Sequence, residues 1–229
     1  MSADREAQTF ARQLHQTFAN AADPACALAM AAYMKNHFGF FGIPKPLRAT
    51  LQKPAFASLG RPPSPALLIA IAHKLWQCPE RECQYAACDL LVRHAGRLEA
   101  EHLQPVAKLI TKKSWWDTVD ALATRVVGEL ARHHPALLPT LDAWAHDDNL
   151  WLRRTSLLHA LHHGKATDRT RLQAALDANL DQRDFFIRKA MGWALRQFAR
   201  HDPNWVRSYL ALRGEALSGL TRREAAKHL

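Results

Sequence analysis

Apolar residues recur along this chain at helical spacing. Phe10, Leu14 and Phe18 fall four apart, which predicts a helix over 5–19. A second helix is predicted over 25–37. The segment Gly-Phe-Phe-Gly-Ile-Pro-Lys-Pro, residues 39–46, must interrupt the pattern, because Gly and Pro together end helices. Arg61-Pro62-Pro63-Ser64-Pro65 is a second loop. Ser64 there can cap the next helix, with Pro65 at its first position. No stretch alternates apolar and polar residues, and Val and Ile are sparse, so no strand is predicted. With Ala and Leu abundant and only 9 glycines in 229 residues, the pattern predicts an all-α fold.

The helices carry weak internal repeats. Arg93-His94-Ala95-Gly96, Arg132-His133-His134-Pro135 and Arg200-His201-Asp202-Pro203 each close an Ala/Leu-rich stretch. Trp116, Trp151 and Phe186 each fall near a predicted helix start, at steps of 35. Basic pairs follow the last two, Arg153-Arg154 and Arg188-Lys189. A period in the high thirties with two helices per unit is in the range of HEAT-like repeats. Stacked pairs of this kind build a solenoid with a concave face, and the basic pairs are expected along one line of it. The expectation is a single domain over 1–229, with an N-terminal helical cap to about residue 60 set by the loop signals.

Charge sharpens this picture. The chain is basic, at +10, and residues 149–201 hold ten Lys and Arg against four Asp. A basic face suits a polyanion, most simply nucleic acid; the plain alternative is a solvated basic surface. Cys26, Cys78, Cys83 and Cys88 form no CxxC pair and read as small apolar helix residues in a reducing compartment. The thirteen histidines are scattered, with His133-His134 and His162-His163 near predicted helix ends, and no HExxH occurs, so no metal is expected. Asp4, Arg5 and Glu6 do not fit a secretory signal, and no run reaches membrane-span length. A soluble, cytoplasmic monomer is the expectation.

The chemistry concentrates at Lys112-Lys113-Ser114-Trp115-Trp116-Asp117-Thr118-Val119-Asp120. On a helix Trp116 and Asp120 share a face. Lysines suit phosphate, an indole suits a base, sugar or cation, and a carboxylate suits developing positive charge. Ser114 reads as the N-cap, with Asp117 completing a capping box, and Trp115 as packed. Two readings of Asp120 stand: a buried acid paired with a neighbouring Arg, or a carboxylate beside an aromatic platform. Arg154 is either a surface arginine or a phosphate contact. Trp193 is either core or functional; the adjacent Gly192 would let something approach that face, and Arg196 could reach the same surface. Tyr33, just before the Gly/Pro break, means little by itself.

Taken together, Tyr33–Phe38, Gly42–Pro44, Lys113–Asp117, Val119-Asp120, Asn149–Arg154, Phe185–Arg196 and Arg223–His228 resemble the AlkD-type DNA alkylation repair family, in order and over nearly the whole chain. The resemblance implies a HEAT-like helical solenoid that acts as a DNA glycosylase on N3- and N7-alkylated purines in duplex DNA. It implies a functional cluster of Trp116, Asp120 and Trp193, with Arg154 at the DNA backbone and Tyr33 lining the cleft. Lys112, Lys113, Arg188, Lys189 and Arg196 are the further DNA-contact candidates, and no cofactor is implied.

Alkylation at N3 or N7 makes the purine a cation and weakens its glycosidic bond, so no general acid is required. Asp120 would stabilise the oxocarbenium-like sugar and position water at C1′. The indoles would hold the cationic nucleotide. No lysine nucleophile is implied, so an abasic site is the expected product. Glycosylases generally extrude the base; this resemblance implies that the lesion stays stacked. The competing readings are a non-catalytic DNA-binding solenoid and a protein-interaction scaffold.

Overall fold

The computed structural model describes residues 3–59 and 62–229. Arg61 of the predicted second loop lies outside them. Among the described residues every regular element is a helix, and the only β feature is an isolated bridge between Gly39 and Glu80. The chain divides into two units, Met1–Leu98 and Glu99–Leu229.

The first unit contains α1 (Ala3–Ala19), α2 (Pro24–Tyr33), α3 (Lys45–Ser58), α4 (Pro65–Gln77) and α5 (Arg81–Arg93). The stripe predicted on α1 is buried: Phe10, Leu14 and Phe18 face inward. They belong to a core that also holds Leu68, Ile71, Leu75 and Trp76 of α4 and Leu90 and Leu91 of α5. Ser64 caps α4 as predicted, accepting from the Leu67 amide at 3.2 Å, with Pro65 opening the helix.

The second helix stops at Tyr33, four residues short of the predicted 37. Lys35 and Asn36 adopt φ of 57° and 58°, and their amides turn back onto the carbonyls of Ala32 and Ala31. A left-handed pair closes the helix there. The Gly/Pro break is real but ends earlier than predicted, since Lys45 and Pro46 already form the first turn of α3. Within the break Gly42 has φ +87°, and a Cβ there would meet the Asp23 carbonyl oxygen at 2.0 Å. Only glycine fits.

The break is also pinned by an acid. Glu82 of α5 is fully buried. Its carboxylate accepts the amides of Phe41, Gly42 and Ile43 at 3.0, 2.9 and 3.0 Å. A loop with buried amides needs such a partner.

The second unit contains α6 (Leu103–Ile110), α7 (Trp116–Ala121), a π-helical stretch (Leu122–Val127), α8 (Gly128–His133), α9 (Leu138–Ala143), α10 (Leu150–Leu158), α11 (Arg169–Asp177), α12 (Phe185–Ala199), α13 (Pro203–Arg213) and α14 (Gly219–Ala225). The sequence repeat is structural here. Asn149 caps α10 through the amides of Trp151 and Leu152, and Asp184, 35 residues on, caps α12 through Phe186 and Ile187. Arg153 Nε donates to the Asp147 carbonyl at 3.0 Å, and Arg188 Nε repeats this with Gln182 at 2.8 Å. The same side chain folds back onto the same position of the loop before its own helix.

Removing the acid that holds the break leaves three buried amides without acceptors. Glu82→Ala is expected to lower the unfolding free energy by about 3 kcal/mol or more, measured by urea denaturation; a loss under about 1 kcal/mol would mean that water satisfies those amides.

Candidate functional site

The central feature of the second unit is a buried ion pair between α7 and α10. Asp120 is one turn inside α7, four residues after Trp116. Arg154 of α10 grips it with both edges of its fork: Nε to Oδ1 at 2.7 Å and Nη2 to Oδ2 at 2.8 Å. The Arg154 side chain is 4% exposed and that of Asp120 18%. The third nitrogen, Nη1, donates to the Phe186 carbonyl at the start of α12.

This bears on two sequence alternatives. Asp120 is paired with a neighbouring Arg, and it also shares a face with Trp116. The guanidinium expected at a DNA backbone is instead buried, with Nε, Nη1 and Nη2 all donating within the fold. It acts on Asp120 and not outward.

Three rings cluster where these helices begin. Trp115 lies 6.0 Å from Trp151 and 5.0 Å from Phe186, and Trp151 lies 5.1 Å from Phe186. Arg154 sits over the Phe186 ring at 5.9 Å. Trp115 is packed, as predicted, and it takes the place in this cluster to which the 35-residue step assigns Trp116. Trp116 itself is half-buried, on the face that carries Asp120.

Ser114 is not the N-cap. Its hydroxyl donates back to the Ile110 carbonyl at 2.7 Å, and Trp115 occupies the cap position. The capping box expected of Ser114 and Asp117 is therefore not formed, and Asp117 instead accepts the Thr118 amide at 2.9 Å. In the loop before it Lys112 is exposed, and Lys113 has φ 51°. Beyond Asp120 the helix widens into the π stretch, and Thr124 donates to the Asp120 carbonyl at 2.8 Å. Inserted π turns recur at functional sites, and no sequence signal marked this one.

The environment of Asp120 sets its acidity. Burial pushes its pKa up, the hydrogen bond and charge of Arg154 pull it down, and Asp117 adds a push upward; the net shift is upward. Ionised Asp120 therefore stands in a site that only partly offsets its desolvation.

Trp193 lies on α12, half-buried against the core of this unit. The approach that Gly192 permits is made by α14: a Cβ there would lie 2.4 Å from Glu224 Cβ and 2.9 Å from the Thr221 carbonyl oxygen. Lys189 and Arg196 do not stand as bare surface cations either. Both bind Glu224, at 2.6 and 3.0 Å, and Lys227 joins them at 2.7 Å. Sequence reasoning gave Glu224 and Lys227 no role; nothing local identifies an acid 35 residues from its partner. Tyr33 belongs to the first unit, at the end of α2, and is 70% exposed.

Five of the ten cations of 149–201 pair with acids outside that window. Asp120, Asp142, Asp202 and Glu224 take Arg154, Arg171, Arg169 and the Lys189/Arg196 pair. A cavity of about 340 Å³ opens where α10 ends, lined by His159, His163 and Leu172 among others, and neither Asp120 nor Trp116 lines it. Among the described residues no three His, Cys, Asp or Glu side chains group as metal ligands, and no helix is long and apolar enough to cross a membrane.

A family model described as DNA alkylation repair enzyme matches residues 14–229. The chain belongs to the DNA alkylation repair enzyme family. A solved structure described as a predicted DNA alkylation repair enzyme from Enterococcus faecalis is 33% identical to it, with a TM-score of 0.80, covering 91% of this chain and 96% of that one. No curated protein matches. The family and the shared fold agree with an all-α helical-repeat protein of DNA alkylation repair.

The ion pair yields a stability prediction with a defined pH dependence. Arg154→Ala strands the Asp120 carboxylate and is expected to cost about 3 kcal/mol at neutral pH. The stranded acid's pKa rises further above its unfolded value, so the variant's deficit should shrink as pH falls and Asp120 protonates. Parallel urea titrations at neutral and acid pH check this; an equal deficit at both would place the loss in packing.

Proposed function

We propose that the chain is a monofunctional DNA glycosylase that hydrolyses the N-glycosidic bond of N3- and N7-alkylated purines in duplex DNA and leaves an abasic site. The observation that carries this reading is the Asp120 carboxylate. It is held from one side by the Arg154 fork, partly desolvated, and one helical turn from Trp116 on the same face. Burying an ion pair for stability alone gains little. A carboxylate fixed in orientation and kept from full solvation is what a cationic transition state at a sugar requires.

In the reaction the C1′–N bond breaks and its electrons neutralise the cationic purine. The sugar takes up positive charge as it leaves. Asp120 faces that charge and accepts a proton from the water whose oxygen joins C1′. Trp116 and Trp193 supply faces for the cationic nucleotide and its deoxyribose. Arg154 is a positioning residue in this scheme: it sets the direction and the charge state of Asp120 and does not grip phosphate. Lys112 and Lys113, in the loop before Trp116, and Arg188 on α12 are the backbone-contact candidates. The leaving base needs no protonation, so the scheme needs no base-shaped pocket, and the lesion can stay in the stack.

The test is release of 7-methylguanine from alkylated duplex. Asp120→Asn is expected to lose about 100- to 1,000-fold in release while still binding DNA. Release by the wild type should rise with pH as Asp120 ionises. Its acid limb should lie above the ordinary carboxylate range, and in Arg154→Ala it should move higher still. Binding without release by either protein would leave a non-catalytic helical-repeat DNA-binding protein as the reading.

A further inference from the structure

Lys189, Trp193 and Arg196 stand at i, i+4 and i+7 of α12, on one face of the helix. The two cations reach over that face to a single acid from α14. Glu224 Oε1 accepts from Lys189 at 2.6 Å and from Lys227 at 2.7 Å, and Oε2 accepts from Arg196 at 3.0 Å. The Glu224 side chain is only 6% exposed, whereas those of Lys189, Arg196 and Lys227 are 38%, 25% and 50% exposed. The acid is the buried hub and the cations form its rim.

The hub is fixed in place. Gly192 lets Glu224 Cβ lie against the α12 backbone. Thr221, one turn earlier on α14, donates to the Arg188 carbonyl at 3.0 Å, and Ser218 caps α14 through the Thr221 amide. Burial would raise the Glu224 pKa, but the hydrogen bonds of Lys189 and Lys227 override it and bring it down to about 2. The hub is an anion at every working pH.

Three cations share one anion, so the cluster keeps two positive charges. It also keeps donors. Each ammonium has three N–H groups and the guanidinium five, and one bond from each goes to Glu224. We propose that Glu224 organises Lys189, Arg196 and Lys227 into a site for one phosphodiester of a nucleic-acid backbone, on the face of α12 that carries Trp193. A phosphodiester brings one negative charge and two free oxygens, which several convergent donors can share. Its position beside an indole suits a phosphate joined to a sugar more than a free ion. The assignment of DNA as the polymer rests on the function proposed above.

The experiment measures binding of an undamaged duplex across about 50 to about 200 mM KCl. It uses the full chain, Lys227→Ala and Glu224→Gln. Loss of one phosphate contact in Lys227→Ala should reduce the slope of log K against log salt by about one and weaken binding several-fold. Glu224→Gln makes the protein more positive, so a charge-only account predicts tighter binding; the organised site predicts weaker binding. An unchanged slope in Lys227→Ala overturns the site, as does tighter binding by Glu224→Gln. Lys227 is half-exposed, so its variant decides the question even if Glu224→Gln folds poorly. Inorganic phosphate at matched ionic strength separates the sources: displacement of duplex that disappears in Lys227→Ala would make this a free-phosphate site and overturn the assignment.

Release of 7-methylguanine is followed in parallel. A slope change without base release keeps the site and removes the enzyme; base release without a slope change does the reverse.

Discussion

One guanidinium holds three successive helical layers of the second unit in register. Arg154 leaves α10, takes both oxygens of Asp120 on α7 and donates its remaining edge to the Phe186 carbonyl at the head of α12. The Trp115, Trp151 and Phe186 rings cluster at the same helix starts. Apolar packing tolerates small rotations of a helix about its axis; a two-point fork on a buried carboxylate does not. The orientation of the α7 face, and with it the direction of Trp116 and Asp120, follows from that fork. Buried ion pairs contribute little net stability against an apolar replacement. Geometry is what this one supplies.

The 35-residue repeat places Lys189 where Arg154 stands one unit earlier. Arg154 reaches back to Asp120; Lys189 reaches across to Glu224. The two acids end in opposite states. Asp120, desolvated and answered by a single arginine, has its pKa raised. Glu224, surrounded by three cations, has its pKa brought to about 2. Environments that push two carboxylates apart in this way divide their roles. In the function proposed above, the first accepts a proton and answers a developing charge. The other is a fixed counter-ion that organises its neighbours.

Much of this was legible in the sequence, for reasons of range. Helix caps are decided within four residues, so Ser64 read correctly. The repeat step is a spacing, and it survives as matched caps at Asn149 and Asp184. What failed depended on rotation, on a distant partner or on local competition for one side chain. A step of 35 locates helix starts but not which of Trp115 and Trp116 turns inward. Ser114 matches a cap by residue type, yet its hydroxyl found the Ile110 carbonyl one turn back, a competition open to any serine near a helix end. Gly192 signalled a close approach without naming α14 as the partner. The family resemblance implied roles for Asp120 and Trp193 that periodicity left undecided.

The basic segment is the instructive case. Counted in a window it looks like a bare electrostatic surface; in the fold five of its ten cations are drawn onto acids from outside the window. Pairing does not remove their capacity to bind a polyanion. A lone surface lysine must be ordered when it meets a phosphate, and that ordering subtracts from affinity. Lysines already drawn to a shared buried carboxylate have met that cost on folding. They keep most of their protons for a second acceptor. A shared acid thus lowers the net charge of the surface while raising the directional value of the charge that remains. Such a surface favours a backbone presented in one register over polyanions in general.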